Sequence, residues 1–487
     1  MDRNEPAQRA KMVADLTESH GSMETHNPPL ISDQTPTPPI DAHATTRRAG
    51  LAVTVEHGIG ALERYGAQID RLNRASARPN AFHSSAFFQC FAKYIEYYTP
   101  DREERLVLVH EGEQLIGCVA MRSSTDNFGK LLGRSGLWIA RLGFLAPVDI
   151  EQPGLLCAPE DEECVAAAIV RHFCTVQRNW GMLEFAGQRP GGALHRATHA
   201  AAGGQLRARD IPVEPFNEIS LEYPDVAAYF KSLSKKMRSN IGRQARRLFA
   251  AGATELILAQ GPAATSAWFD AYLELEERSW KHGTVSALQR HPRRVEFYRE
   301  IVGGRGGLDP SFIGVMLDGV LVAGLIVGDN SGYAPGLSGA WCLEMAYDDA
   351  RANLGPGQVL LLLAVAEGIR RGNRFLNLLQ MFAYYKHRWK AEPIEVVNVQ
   401  LVRRFSLHGL RAALGDLKRR LRPERAPAPP VVKDEEGADD APAATNRAPA
   451  NLDRARLLAA SACANGGSGM LKLDREQARG RLPFPLD

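Results

Sequence analysis

The sequence predicts an α/β (α+β) protein built from two tandem units, each a twisted mixed sheet flanked by helices. Three observations carry that expectation: a length of 487 residues, an alternation of helical and strand-like patterns between two polar ends, and an internal repeat. Length comes first, because a single core seldom grows past about 250 to 300 residues, so two domains plus tails is the starting point. Hydrophobic residues at 45% and charged residues at 24% are ordinary globular values, and a net charge of +3 is too small to argue for nucleic acid, so DNA is not an expected partner.

The two ends read differently from the middle. Residues 1–48 are polar and rich in Pro, Thr, Asp and His, a composition that buries too little apolar surface to offset chain entropy, so a disordered segment is expected there. Residues 423–487, with the stretch APAPPVVKDEEGADDAPAATNRAPA, are expected to be mostly disordered tail with a short helix near Leu452 to Ala462. Between them, the alternation of patterns divides into a first unit over 49–215 and a second over 216–405, followed by a basic amphipathic helix over 406–422.

The repeat justifies the division into two. Leu108 to Met121 read LVHEGEQLIGCVAM and Val315 to Gly328 read VMLDGVLVAGLIVG, each a β-rich run meeting an acidic-Gly turn (Glu111-Gly112, Asp318-Gly319), so each predicts a hairpin. Further on, CVAAAIVRHFCTVQRNWGMLEFAG from Cys164 and GQVLLLLAVAEGIRRGNRFLNLLQ from Gly357 each predict a long apolar helix, a turn and a short strand. The hairpins are offset by 207 residues and the helix-strand pairs by about 193, as expected of a duplication with a modest insertion or deletion.

Other features exclude function classes. The seven cysteines show no CxxC pair and no zinc-ligand spacing, which predicts buried, reduced thiols without a metal or disulfide role. The N-terminal stretch lacks a signal-peptide core, and the longest strongly apolar run, Val359 to Ala366, is far short of a membrane span, so the expectation is a cytoplasmic protein. No Ser or Cys has a nearby His-acid pattern, and the glycines at 303–307 lack the Lys-Ser/Thr of a phosphate loop, leaving them a flexible connector.

Four segments of the second half carry a family resemblance. These are KSLSKKMRSNIGRQARRLFAAG from Lys231, the hairpin LDGVLVAGLIVG, the turn NLGPGQVLLL, and YYKHRWKAE from Tyr384, with PNAFHSSAFFQCF near residue 79 adding to them. In this order and spacing they resemble the GNAT acyltransferase superfamily, and within it the CelD/FemAB-like branch with its BioF2-like acetyltransferase domain, over about 60–405. The resemblance implies tandem GNAT-like domains with a substrate groove between them, and transfer of an acyl group to the amine of a small molecule or of an envelope or polysaccharide precursor. It implies acetyl-CoA or another acyl-CoA as co-substrate and no metal. Two alternatives stay open: transfer from aminoacyl-tRNA, for which the basic helix speaks, and a non-catalytic partner in exopolysaccharide or cellulose biosynthesis.

The residues themselves point to the same chemistry. Gly355 and Gly357 allow close backbone approach, Pro356 suits a first helical turn, and the free N–H groups with the helix dipole make an anion site suited to a pyrophosphate, with Arg351, Leu354 and Gln358 around it. The loop's N–H groups are expected to lie at a cleft, unpaired by protein. In the resembled family this loop reads Q/R-x-x-G-x-G/A, whereas here Ala352 holds the first position and Arg351 precedes it; the family's Asp-x-Gly after the last helix is replaced by Asn377-Leu378-Leu379.

Seven cations without an acid fall between Lys231 and Arg247, on a helix with an apolar face through Met237, Ile241, Ala245 and Leu248. Arg238 and Asn240 lie nearest the matched family positions and are candidate substrate contacts, with Tyr347 and Arg388. Acyl transfer from a thioester needs an amine deprotonated, a carbonyl oxygen stabilised and a leaving thiolate protonated. Glu344 is the candidate base, Tyr385 the candidate acid, and Lys386 the candidate to neutralise phosphate or a substrate carboxylate. In the segment after the second unit, Leu407, Leu410, Leu414, Leu417 and Leu421 form a stripe beside basic residues, so residues 405–425 are expected to dock on their own domain, on a partner helix, or weakly on an anionic membrane surface.

Overall fold

A computed structural model describes residues 50–94, 103–127, 138–145, 152–284, 286–333, 338–380, 384–410, 413, 470–479 and 482–483. The expected disordered segment 1–48, the Leu452 to Ala462 helix and most of 411–422 lie outside these residues. The described chain folds into two mixed sheets flanked by helices.

The first sheet is built from β1 (Leu51–His57), β2 (Glu103–Glu111), β3 (Gln114–Asn127), β4 (Trp138–Phe144), β5 (Leu156–Cys157), β6 (Met182–Gln188) and β7 (Leu206–Pro212). The second takes β8 (Phe216–Ser220), β9 (Thr254–Gln260), β10 (Asp309–Leu317), β11 (Val320–Asp329), β12 (Gly339–Tyr347), β13 (Phe375–Asn377) and β14 (Glu392–Ile394). Two further strands complete them, β15 (Val397–Arg403) in the first and β16 (Met470–Leu473) in the second.

The hairpins predicted from the repeat are β2–β3 and β10–β11, and they occupy equivalent places in the two sheets. In the second, Asp318 and Gly319 both adopt positive φ (52° and 73°), the paired left-handed geometry that a two-residue hairpin turn demands. Each sheet also contains one parallel pair, β4 with β6 and β12 with β13, and a helix connects its members: Glu162–Thr175 in the first half, Pro356–Arg370 in the second.

The strand order β1-β2-β3-β4-β6-β15-β7 and the order β14-β8-β13-β12-β11-β10-β9-β16 reveal a reciprocal exchange. β8 follows β7 along the chain yet pairs between β13 and β14, and β15 follows β14 yet pairs between β6 and β7. A cut in the chain near 215 or 405 therefore does not separate the two sheets: β15, beyond residue 215, pairs in the first sheet, and β16, beyond residue 405, pairs in the second.

The tail expectation needs correction over its last part. Met470–Leu473 pairs with β9 and extends the second sheet, and Leu473, Ala478 and Leu482 are buried in the second-sheet core. A four-residue strand closing an exposed sheet edge gains ladder hydrogen bonds that composition does not register.

Three apolar cores result. One lies around the first sheet and the helix Glu162–Thr175. A second packs the helices Val226–Ser232, Lys235–Ala250 and Pro356–Arg370 on one face of the second sheet. The third joins the halves: Phe82, Phe87 and Phe91 meet Phe297 and Trp341, with Phe82 and Trp341 ring centroids 4.9 Å apart. All ten strand residues of β11 are buried, as its apolar run 320–328 requires of a central strand covered on both faces, and its last residue, Asp329, accepts from Arg371 and Asn373.

Candidate active site

The parallel strands β12 and β13 pair only at their beginnings, Gly339 with Phe375 through Trp341 with Asn377. Beyond that point β13 ends and β12 runs on to Tyr347, so from Cys342 onward β12 has no strand partner on that side among the described residues. Backbone N–H and C=O groups on such an edge are available to a ligand. The turn and helix that follow β12 stand at the open end of this wedge.

That turn is built tightly. Asp348 caps the 3-10 segment Asp349–Leu354, accepting from the N–H of Ala350 at 3.0 Å, and its carboxylate also holds Arg278 and Arg351, each at 2.7 Å. Arg351 is thus tied to Asp348. Leu354 packs on the second-sheet core. Gly355 is left-handed (φ 64°), and a side chain there would run into Gln244 of the basic helix, so both conformation and close approach demand glycine. The N–H groups of Gly355 and Gln358 donate to Ala352 and Gly355, at 2.9 and 3.0 Å, so the expectation of a wholly unpaired loop does not hold; Gly357 N–H has no partner among the described residues. Gly357 has only the Tyr347 ring nearby, 3.3 Å from where a Cβ would stand.

The basic helix Lys235–Ala250 lies against this turn through Gln244. Lys235, Lys236, Arg243, Arg246 and Arg247 are exposed and make no ion pair among the described residues, and Arg243 donates only to Asn240, at 2.9 Å. Arg238 is spent on the main chain instead, where its guanidinium donates to the carbonyls of Lys231 and Leu233 and closes the end of the preceding helix.

A fit for a pyrophosphate follows from these features. The Pro356 helix presents its N-terminus with no acid in its first turn, against a helix that carries five exposed cations without an ion pair among the described residues. The amide oxygens of Gln244 and Gln358 flank the turn and are buried without a hydrogen-bond partner. A Gln amide turned over offers two N–H donors in the same space, which suits an anion.

The predicted catalytic residues are placed less simply. A bulge in the β11–β12 pairing, where Ile326 faces Glu344 and Val327 faces Cys342, turns Glu344 to the aromatic face of the sheet. There it is buried, with one carboxylate oxygen bound by Lys281 and the other by Arg294 at 2.8 Å. An amine does not reach Glu344 without displacing one of these cations. Beside them burial, and then Glu344 and Glu276, push the Tyr272 hydroxyl far above its ordinary range. Burial, against the pull of Lys281, likewise raises the Glu276 carboxyl.

Lys386 is buried on the short helix Tyr384–Arg388, and its ammonium donates to the carbonyls of Leu378, Leu379 and Gln380 at 2.8, 3.2 and 3.0 Å. All three of its donors are used, and burial pushes its pKa down to about 8. Lys386 therefore pins the turn after β13, where Leu379 is left-handed (φ 63°), and is not free to meet a phosphate. Tyr385 belongs to the same helix, with its side chain outside the described residues; Arg388 makes no ion pair among them. Tyr347 lies beside the Pro356 turn, its hydroxyl raised by burial and then by Asp349.

On the aromatic face, a pocket of about 370 Å³ opens where residues 77–80 of the first half cover the β8–β13 end of the second sheet. Arg78, Glu218, Trp341, Arg374, Phe375 and Glu392 line it. Arg78 pairs with Glu218 at 3.2 Å and Arg374 with Glu222 at 3.0 Å, while Glu392 is exposed and makes no ion pair among the described residues. Sequence reasoning missed Lys281, Arg294, Gln244 and this pocket, since each acts through a partner tens of residues or more away.

Residues 235–390 match the family described as Acetyltransferase (GNAT) domain. No curated protein matches the chain. Among solved structures it is similar to FemX (8% identity, 72% of this chain and 98% of that chain, TM-score 0.48) and to a tandem GNAT protein from the clavulanic acid biosynthesis pathway (14% identity, 72% and 98%, TM-score 0.43). It is also similar to L-PGS from Bacillus licheniformis (10% identity, 72% and 96%, TM-score 0.41).

Proposed function

We propose that the protein is an N-acyltransferase that takes its acyl group from acetyl-CoA or another acyl-CoA and delivers it to a small-molecule amine or an amino-bearing saccharide or envelope precursor; the match of residues 235–390 to the Acetyltransferase (GNAT) domain family supports this. The observation that carries this reading is the acid-free N-terminus of the Pro356 helix, with Gln244 of the basic helix against its Gly355. The donor supplies the thioester whose acyl group is moved.

The chain's own residues divide the remaining work. Gly357, the helix N-terminus, Gln244, Arg243 and Arg247 hold the pyrophosphate, and the unpaired edge of β12 from Cys342 lies along the wedge. Lys386 fixes the turn that closes the wedge, and Tyr385 on the same helix returns a proton to the leaving sulfur. The acceptor enters the 370 Å³ pocket, where Glu392 and Glu218 favour a cationic group. Glu344 takes the amine proton when Arg294, the more exposed of its two partners, swings away; Lys281 stays in place.

Calorimetry on the full chain with acetyl-CoA, a longer acyl-CoA and bulk tRNA tests the proposal. Saturable acyl-CoA binding without tRNA binding is expected, together with a Tyr385→Phe variant that binds acyl-CoA normally and transfers at least about tenfold more slowly, in line with the usual contribution of a general acid. Saturable tRNA binding alone assigns the basic face to aminoacyl-tRNA, and binding of neither overturns the enzyme reading.

A further inference from the structure

Far along the chain from the acyl-transfer residues, the first half places three metal-ligating side chains together. His195 and His199 stand one turn apart on the helix Ala193–Ala200, and i, i+4 spacing sets them on one face. Asp210 faces them from β7. His195 Nε2 lies 3.2 Å from Asp210 Oδ2, His199 Nε2 lies 2.9 Å from Asp210 Oδ1, and the two rings are 4.6 Å apart. One donor atom from each residue falls within 4.8 Å of the other two.

The scaffold fixes this geometry from both sides. Ala197 of the helix and Ala208 of β7 pack on the first-sheet core, and Asp210, two residues beyond Ala208, points to the same face. β7 is held in register by β15, with Asp210 opposite Val399. On the helix, Thr198 Oγ1 donates to the Leu194 carbonyl at 2.7 Å.

We propose that His195, His199 and Asp210 bind a single divalent transition-metal ion of the zinc type. Zinc sits about 2.0–2.2 Å from imidazole nitrogen and carboxylate oxygen, so neighbouring ligand atoms of a tetrahedral site stand roughly 3.3–3.5 Å apart. The nitrogen-to-oxygen distances here are already close to that, so an ion replaces the shared protons with small side-chain adjustments. Two imidazoles with one carboxylate select a borderline metal over magnesium or calcium, which take oxygen ligands. Three protein ligands leave a fourth position for water, and the ion clips the helix to β7, which among the described residues has a strand neighbour on one side only.

The test uses the full, untagged chain stripped of metal. Zn²⁺ is titrated against a chromophoric chelator, and melting temperature is followed with Zn²⁺ and separately with Mg²⁺. One ion held at this site and a rise in melting temperature with Zn²⁺ only are expected. His199→Gln keeps a donor for Asp210 but removes the ligand, so it is expected to weaken Zn²⁺ at least about tenfold while remaining folded by circular dichroism. Because His20, His26 and His43 lie elsewhere in the chain, the triple variant His195→Ala, His199→Ala, Asp210→Asn must lose one bound ion. An unchanged stoichiometry and affinity in that variant, no binding by the parent, or an equal response to Mg²⁺ would each overturn the site.

Discussion

The helix linking the parallel strands begins in opposite ways in the two halves. In the second it opens as Gly355-Pro356-Gly357, without an acid in its first turn and beside the basic helix. In the first, the chain enters through Pro159-Glu160-Asp161 into a helix whose first turn holds Glu162 and Glu163. A helix N-terminus carries roughly half a positive charge, which four carboxylates more than cancel. Burial, followed by the neighbouring Glu163, already holds the Glu162 carboxyl above its usual range, so a further anion is repelled. The strand frame is thus common to both halves while the acid-free helix start belongs to one, and the first half contributes residues 77–80 to the pocket on the second sheet.

The sharpest way to break this comparison is to give the second half the first half's chemistry. Gly357→Asp places a carboxylate at the helix N-terminus proposed to hold the pyrophosphate, and acyl-CoA affinity is expected to fall more than about hundredfold, roughly 3 kcal/mol. Only the Tyr347 ring meets the new Cβ, so the melting temperature is expected to change little. Calorimetry and thermal melts on the same samples decide it; unchanged affinity removes the seat.

A second test addresses the first half's contribution to the pocket. His83 is buried next to Asn80, whose side chain accepts from the His83 N–H at 3.1 Å, and burial pushes its pKa down to about 4. Since the unfolded chain takes up this proton near pH 6.5 and the folded chain only near 4, the unfolded state binds more protons between those values. Stability is therefore fully present above pH 6.5 and is lost as pH falls towards 4, by on the order of 3 kcal/mol. Urea unfolding of the parent and of His83→Gln at pH 7 and pH 4 checks this: the parent should lose more than the variant by that margin.

A smaller effect is expected from the free cations. Arg243→Gln with Arg247→Gln leaves the helix N-terminus intact, so acyl-CoA binding should weaken only about tenfold and become less sensitive to salt, as exposed charges are screened over about 10 Å at 0.1 M. Titrations at low and high salt measure both. Equal salt dependence in parent and variant would take these arginines out of the site.

What could be read in the sequence follows how local the physics is. The hairpins, the apolar helices and the Gly-Pro-Gly turn are written in neighbouring residues, and each lies where its pattern predicts. The exchange of β8 and β15 was not legible, since nothing in FNEIS or VNVQLVR says which sheet each strand joins. Nor were the partners of the charged candidates: Glu344 meets Lys281 and Arg294 across 63 and 50 residues, and Arg238 and Lys386 spend their charge on main-chain carbonyls. A cation in a family motif reads the same whether it binds phosphate or holds a turn.

The mildest change asks whether the acids alone silence the first half. Replacing Glu160, Asp161, Glu162 and Glu163 by their amides removes the repulsion, yet the backbone there offers no Gly-Pro-Gly turn, and the N–H of Asp161 is already given to Ala158 at 2.9 Å. Losing favourable charge near a helix N-terminus costs about 0.3 to 1 kcal/mol per group, and the exposed Glu163–Arg196 pair adds little to that. The variant should therefore melt earlier, with a loss of up to about 1 to 4 kcal/mol over the four groups, and still bind one acyl-CoA per chain with unchanged affinity. Binding of a second acyl-CoA would mean that charge alone separates the two halves, and that the glycine turn and basic helix are dispensable to the seat.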